Sequence, residues 1–169
     1  MKEAISSPSS VSLRPVTADD GSLLLAIYRS TRAEELALVS WWSDDQKAAF
    51  VQMQLEAQHA HYRNTFPQAE YSVVMVHDRA VGRLYTAEME NELRILDLTL
   101  LPEERNAGIG TGILTQLLQA CESQQKALSI HVESFNPSIG LLERLGFRKV
   151  SENGFYFLMQ HAAGGAPTA

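Results

Sequence analysis

Leu96-Asp97-Leu98-Thr99-Leu100-Leu101-Pro102-Glu103-Glu104-Arg105-Asn106-Ala107-Gly108-Ile109-Gly110-Thr111 begins as a strand, breaks at Pro102 and enters a helix near Gly108. The first backbone N–H groups of a helix lack intrahelical acceptors and lie at the positive end of its dipole, so this junction suits an anion. Glycine serves there because a side chain would hold a phosphate away. Two other phosphate loops fit less well. A Walker A loop needs Gly-Lys-Ser/Thr, and no lysine follows Gly108, Gly110 or Gly112. A dinucleotide fingerprint asks for a third glycine or alanine where Ile113 stands, and for an early place in a parallel sheet.

Upstream of the junction, Tyr71 to Val76, Val81 to Glu88 and Leu93 to Leu101 read as an antiparallel meander broken at Asp78 and at Glu90-Asn91. Before it, alternating Val11, Leu13 and Pro15 predict a short strand. Thr17 and Asp20 predict a capping-box-like start to a helix from about Ala18 to Arg32, with Leu24, Ile27 and Tyr28 on one face. Ser43 to Gln46 predicts a second cap, ahead of a helix through about Tyr62. Downstream, Ile109, Ile113, Leu117 and Leu118 give Gly108 to about Glu122 helical spacing, and Leu128 to Val132 reads as a strand. Asn136 is placed as an N-cap with Pro137 at the first helical position, Gly146 as the helix stop, and Asn153-Gly154 as a turn between two final strands. The order β-α-α-β-β-β-α-β-α-β-β describes one mixed α/β sheet, expected as a single domain over residues 11–160. Residues 1–10 and 161–169 carry no pattern that buries a face and are expected to be flexible tails.

Composition excludes more than it names. A hydrophobic share of 45% and a charged share of 20% are ordinary for a globular protein. A formal net charge of -6, without a basic tract, argues against nucleic acid as a partner. No apolar run approaches the roughly 18 to 20 residues that span a bilayer, so no membrane partner is expected. One cysteine, Cys121, makes no internal disulfide, and the N-terminus lacks a secretory core; the expected address is cytoplasmic.

Arg105-x-x-Gly108-x-Gly110, following a strand that ends Leu100-Leu101-Pro102, resembles the coenzyme A turn of the GNAT superfamily of N-acetyltransferases. Asn136-Pro137-Ser138-Ile139-Gly140-Leu141-Leu142-Glu143-Arg144-Leu145-Gly146-Phe147 resembles the helix-to-strand motif that follows it in that family. The resemblance covers about Leu13 to Met159. It implies a mixed, mostly antiparallel sheet splayed between strands 4 and 5 and flanked by about four helices. It implies acetyl-CoA as acyl-donor co-substrate and direct attack by a small-molecule or peptide amine. The pantetheine arm is then expected along Leu98, Thr99 and Leu100, and the pyrophosphate at Arg105, Asn106, Ala107, Gly108, Ile109, Gly110 and Thr111. Asn136 is expected near the pantetheine. Homodimers are common in the family, and the resemblance extends to a homodimer as partner.

Amine acceptors with pKa near about 10 arrive mostly protonated at neutral pH, so a carboxylate reached directly or through water assists attack. The candidate catalytic residues are Asp97, just before the splay, Glu133, at the end of the fifth strand, and His131, on the same side of that strand as Glu133. Many family members carry a tyrosine four residues before the second motif's glycine, able to protonate the departing thiolate; here Leu142 stands there. That departure keeps open an alternative, a catalytically inactive acyl-CoA-binding sensor or interaction module of the same fold. Tyr85 is a candidate substitute at the acceptor site. Glu34 and Glu35, with Asp97 and Glu133, would line an acidic pocket for a cationic amine, and Trp41 and Trp42 would wall it. Glu56-x-x-His59 is half of a metal motif without its second half, and no metal is expected. Cys121 reads as inert packing.

Overall fold

In the computed structural model, residues 11–164 are described, so of the loose segments expected at 1–10 and 161–169, residues 1–10 and 165–169 lie outside the described residues. The chain begins with β1 (Val11–Pro15), whose exit is fixed by Asp20: its carboxylate accepts the Thr17 N–H at 2.7 Å and both Arg14 guanidinium nitrogens at 2.8 Å. This is the capping box expected from the sequence, with aspartate in the acidic position. The chain continues through α1 (Gly21–Thr31), which buries Leu24, Ile27 and Tyr28.

Two helices were expected before the meander; the structure has three. Helix α1 gives way at Arg32, and a separate α2 (Ala33–Leu38) follows before α3 (Asp44–Thr65). The extra helix buries only Leu36, too little for an apolar period to register in the sequence. The flanking α-helices therefore number five rather than about four. The start of α3 follows the expected box, with the Gln46 N–H donating to Ser43 Oγ at 3.2 Å and the Ser43 N–H donating to Gln46 Oε1 at 2.9 Å.

The meander comprises β2 (Glu70–Val76), β3 (Arg79–Glu88) and β4 (Glu92–Leu100). The crossover helix α4 (Ile109–Ser123) leads to β5 (Ala127–Glu133), then α5 (Ile139–Arg144), β6 (Arg148–Asn153) and β7 (Tyr156–His161). Strand order is β1-β2-β3-β4-β5-β7-β6, antiparallel throughout except for the parallel β4–β5 pair that α4 makes possible. His161, expected in the tail, pairs with Leu128 at the end of β7. Asn153 pairs with Tyr156, so the last hairpin loop is Gly154-Phe155, one residue later than expected, with Gly154 at φ +61°.

Side chains alternate across a strand, so neighbouring Leu84 and Tyr85 enter different cores on opposite faces of the sheet. Leu84 joins the larger core, with Ile95, Leu128, Ile130, Val132 and Met159 from the sheet, Ile109, Ile113 and Leu114 from α4, and Leu142 from α5. Tyr85 joins Leu24, Tyr28, Leu36, Val51 and Leu55 from α1 to α3. Each fully buried aliphatic side chain here contributes about 1.5–3 kcal/mol. The second core takes no residue from β5, β6 or β7; on that face of β5 Ser129 is buried and accepts from Arg94 Nε at 3.3 Å, while His131 further along is exposed.

Candidate active site

The parallel ladder between β4 and β5 runs only from Glu92–Ala127 to Ile95–Ile130, although β4 continues to Leu100 and β5 to Glu133. Beyond Ile95 the two strands separate. At the same point the β3–β4 register slips, Tyr85 facing Asp97 and Thr86 facing Ile95, so that Leu96 is an extra residue. A bulge of this kind bends the strand and re-aims its side chains. Leu96 and Asp97 consequently both face the α1–α3 side, and Tyr62 Oη donates to the bulge carbonyl of Leu96 at 3.0 Å.

Past the bulge, the Leu101 N–H donates to the Val81 carbonyl at 2.9 Å, which sets the phase of the antiparallel ladder. Alternation then directs the peptide groups of Thr99 to β3 and those of Leu98 and Leu100 into the gap. Of the three residues expected along the pantetheine, Thr99 is thus out of phase; its hydroxyl instead donates to Asp97 Oδ1 at 2.7 Å.

Where β4 ends, α4 begins. Gly108, at φ +82°, adopts the left-handed conformation that glycine accepts without strain. The first intrahelical bond is Gly112 N–H to the Gly108 carbonyl, 2.9 Å, leaving the N–H groups of Ile109, Gly110 and Thr111 at the open helix end. No atom lies within 4 Å of where a Cβ would stand on Gly108 or Gly112, and Gly110 meets only Leu100 Cδ1 at 4.0 Å. This glycine-lined helix start is a cradle of free amides to which a pyrophosphate can hydrogen-bond. Asn106, at φ +59°, and exposed Ala107 turn the chain into it.

Arg105 departs from expectation. Its N–H closes the preceding turn on Pro102 at 3.3 Å, Nε donates to the Leu100 carbonyl at 3.0 Å, and Nη2 donates to Ser30 Oγ at 3.3 Å. The guanidinium therefore ties the end of β4 to the end of α1 and brings the α1–α2 segment beside the splay. Asn136 does not cap a helix beginning at Pro137. Its Oδ1 accepts the Ser138 N–H at 2.9 Å, and α5 starts at Ile139. Proline at 137 and the Asn136 side chain form the turn leading in, not the helix itself.

Asp97 is engaged. Arg83, 1% exposed, grips it with Nε to Oδ1 at 3.2 Å and Nη2 to Oδ2 at 2.8 Å, and also donates to Gln58 Oε1 at 2.9 Å. The guanidinium lies 4.9 Å from the Tyr85 ring centroid and 5.7 Å from that of Tyr28. Burial opposes the Arg83 charge, but Asp97 and Tyr85 together outweigh it and hold the group above its ordinary value. Tyr85, expected at the acceptor site, is fully buried in this cluster, with His59 Nε2 at 3.1 Å from its hydroxyl, so packing leaves it no surface to offer an acceptor. Burial raises its pKa and that of Tyr62, and burial followed by Arg83 lowers that of His59.

Glu133 contrasts with Asp97. It lies on the same sheet face as His131, opposite the Leu128, Ile130 and Val132 side chains, and its carboxylate has no hydrogen-bond or ion-pair partner among the described residues. His131 is exposed; partial desolvation against the sheet and then Arg94 hold its imidazole below the ordinary value. Of the acidic lining expected around the acceptor, Glu35 is paired with Arg32 at 2.9 Å, Asp97 with Arg83, and Glu34 is exposed on α2. Trp42 packs edge-on against Phe50, centroids 5.4 Å apart, while Trp41 is exposed. Leu142 is buried in the larger core and carries no group able to donate a proton. Among the described residues no group of three His, Cys, Asp or Glu side chains could hold a metal, and no helix is long and apolar enough to cross a membrane.

Comparison with known proteins bears on this geometry. Residues 38–157 match the family model of the acetyltransferase (GNAT) domain. Over 82 residues, 47% of the chain, the sequence is 32% identical to the cysteine-rich protein 2-binding protein of Mus musculus, and the Homo sapiens protein matches equally. The match spans about a tenth (10%) of the length of those relatives. The fold is similar to the PaiA N-acetyltransferase of Thermoplasma acidophilum in complex with coenzyme A, with TM-score 0.64 and 16% identity over 90% of this chain and 99% of that one. It is also similar to a GNAT family acetyltransferase of Elizabethkingia anophelis with acetyl-CoA bound, with TM-score 0.57 and 15% identity over 90% of this chain and 97% of that one.

Proposed function

We propose that this chain, which belongs to the GNAT acetyltransferase family, moves an acetyl group from acetyl-CoA to an amine. The observation that carries the reading is the abandonment of β5 by β4 after Ile95, with the Leu98 peptide and the Leu100 N–H turned into the gap and leading to the glycine-lined start of α4. A pantetheine can add to that edge as a strand would, by β-augmentation, and a pyrophosphate can then accept the Ile109, Gly110 and Thr111 amides.

Acetyl-CoA supplies an activated acyl carbon and a thiolate leaving group. The amine lone pair forms the C–N bond as the C–S bond breaks, and the proton shed by the amine passes to the chain. Glu133 is the base we assign, because its carboxylate is unpartnered at the splayed end of β5, whereas both Asp97 oxygens already serve Arg83 and Thr99. His131, on the same face, is placed to relay that proton to solvent. The Leu98 N–H, turned into the gap, is a donor for the negative charge that develops on the acyl oxygen. With Leu142 in the core, α5 supplies no proton to the thiolate, which leaves as the anion and is protonated by water.

Calorimetric titration with acetyl-CoA, followed by thiol release against an amine panel, tests this reading. Binding with turnover supports it. Binding without turnover against any amine would favour the sensor alternative, and absence of binding would remove the site.

A further inference from the structure

Three of the largest exposed apolar side chains belong to residues that the backbone holds near Glu133. Phe135 is 72% exposed, Phe155 75% and Tyr156 49%. Glu133 and Tyr156 are cross-strand partners in β5–β7, so their side chains stand on one face, about 4.5–5.5 Å apart at Cβ. The Ser134 N–H donates to the Phe155 carbonyl at 2.7 Å, which fixes the hairpin loop against the chain leaving β5, with Phe135 next along it. No residue of β5 to β7 joins the core built by α1 to α3, and the parallel ladder has already opened beside Glu133.

We propose that the acceptor is a primary amine carried on an aromatic or bulky apolar body, with its ammonium at Glu133 and its body against Phe135, Phe155 and Tyr156. The proposal rests on the acetyl-transfer reading and names the substrate class of that site. Charge decides against a polycation. Such an acceptor needs several free carboxylates together, and of the four expected at the acceptor site Asp97 and Glu35 are neutralised by Arg83 and Arg32, while Glu34 is carried on α2 and not on the β5–β7 strands. One unpartnered carboxylate amid aromatic surface selects instead a single positive charge on an apolar carrier. The same carboxylate argues against a second copy of the chain as occupant, since a protein interface closing over these rings would desolvate Glu133 without a counter-ion.

The test uses the whole chain and three amines, 2-phenylethylamine, ethanolamine and spermidine. Thiol release is expected to give 2-phenylethylamine a kcat/KM about tenfold or more above the other two, the scale of burying one ring. F155S and F135S, both at exposed positions, should collapse that ratio towards unity, with acetyl-CoA titration showing that the donor site is intact. Equal rates, a preference for spermidine, or an unchanged ratio in both variants would overturn the proposal. So would a dimer that F155S dissociates while the order of amines stays the same. If no amine is acetylated, the acetyl-transfer reading fails separately, and calorimetric titration of the amines into CoA-loaded protein still decides. Tighter binding of 2-phenylethylamine that is lost in F155S upholds the site, and indifference refutes it.

Discussion

Arg83 and Asp97 form a two-pronged ion pair across β3 and β4, Nη2 to Oδ2 at 2.8 Å and Nε to Oδ1 at 3.2 Å, immediately beside the Leu96 bulge. The pair fixes the bent part of β4 and leaves Asp97 little freedom to take a proton from an amine. D97N keeps the shape but strands a guanidinium that is 1% exposed, so it should cost about 3 kcal/mol of stability, seen as a lowered midpoint in denaturant. An unchanged midpoint would show that the pair is dispensable.

Glu133 should behave differently. E133Q removes an unpartnered carboxylate from an open face, and the expected result is a fall in kcat/KM of about 100-fold with little change in denaturation midpoint or acetyl-CoA affinity. Steady-state kinetics beside an unfolding curve separates the two carboxylates.

Gly110 is the cleaner of two glycines for probing the cradle. Gly108 sits at φ +82°, where valine would strain the turn whatever happened to binding, while Gly110 has only Leu100 Cδ1 near its Cβ position. G110V should lose about tenfold or more in acetyl-CoA affinity by calorimetry while circular dichroism stays native, since the amides remain but a ligand can no longer close on them. Native affinity in that variant would move the donor site elsewhere.

Gly82 faces Leu100 across the β3–β4 pair, and a Cβ there would stand 2.4 Å from the Thr99 carbonyl oxygen. The backbone must give way. G82A is expected to cost about 1–3 kcal/mol by overpacking and to weaken acetyl-CoA binding as well, because the displaced segment is the one left open to the gap. Stability and affinity measured on the same sample would show whether the two losses occur together.

His59, below Tyr85, has its pKa lowered by burial and then by Arg83 and Arg63, with Asp97 acting in the opposite sense. A histidine kept neutral in the fold contributes stability above its unfolded value of about 6.5, and loses it as pH falls through the lower folded value, because the unfolded chain then binds the extra proton. Thermal melts of wild type should therefore fall more steeply below about pH 6.5 than those of H59F. Parallel curves would show that the ring is not the titrating group.

How far the sequence carries this structure depends on distance along the chain. The α4 junction, both capping boxes and the Gly146 stop are built from residues within a few positions of each other, and pattern reading locates them. Helix α2 escapes because six residues with one buried leucine show no period. The Leu96 bulge escapes because a slipped register leaves the residue types unaltered, and with it goes the correct phase of Leu98, Thr99 and Leu100. Pairings such as Arg83 with Asp97, Arg105 with Ser30 and Tyr85 with His59 join segments far apart, so Asp97 and Tyr85 look available until the fold shows what surrounds them. Glu133 is the converse case: its freedom consists of what does not pack on it.

The short β4–β5 ladder has one more consequence. Four residue pairs join the β1–β4 sheet segment to the β5–β7 segment, so within the sheet the molecule is two leaves sharing a narrow hinge. A ligand laid along the free margin of β4 would act as a removable eighth strand, one that lengthens the seam rather than merely occupying a hole. The β4 amides of Leu98 and Leu100 would then exchange with deuterium as a sheet margin in the free protein and as sheet interior in the complex, tying the cohesion of the two leaves to the supply of cofactor.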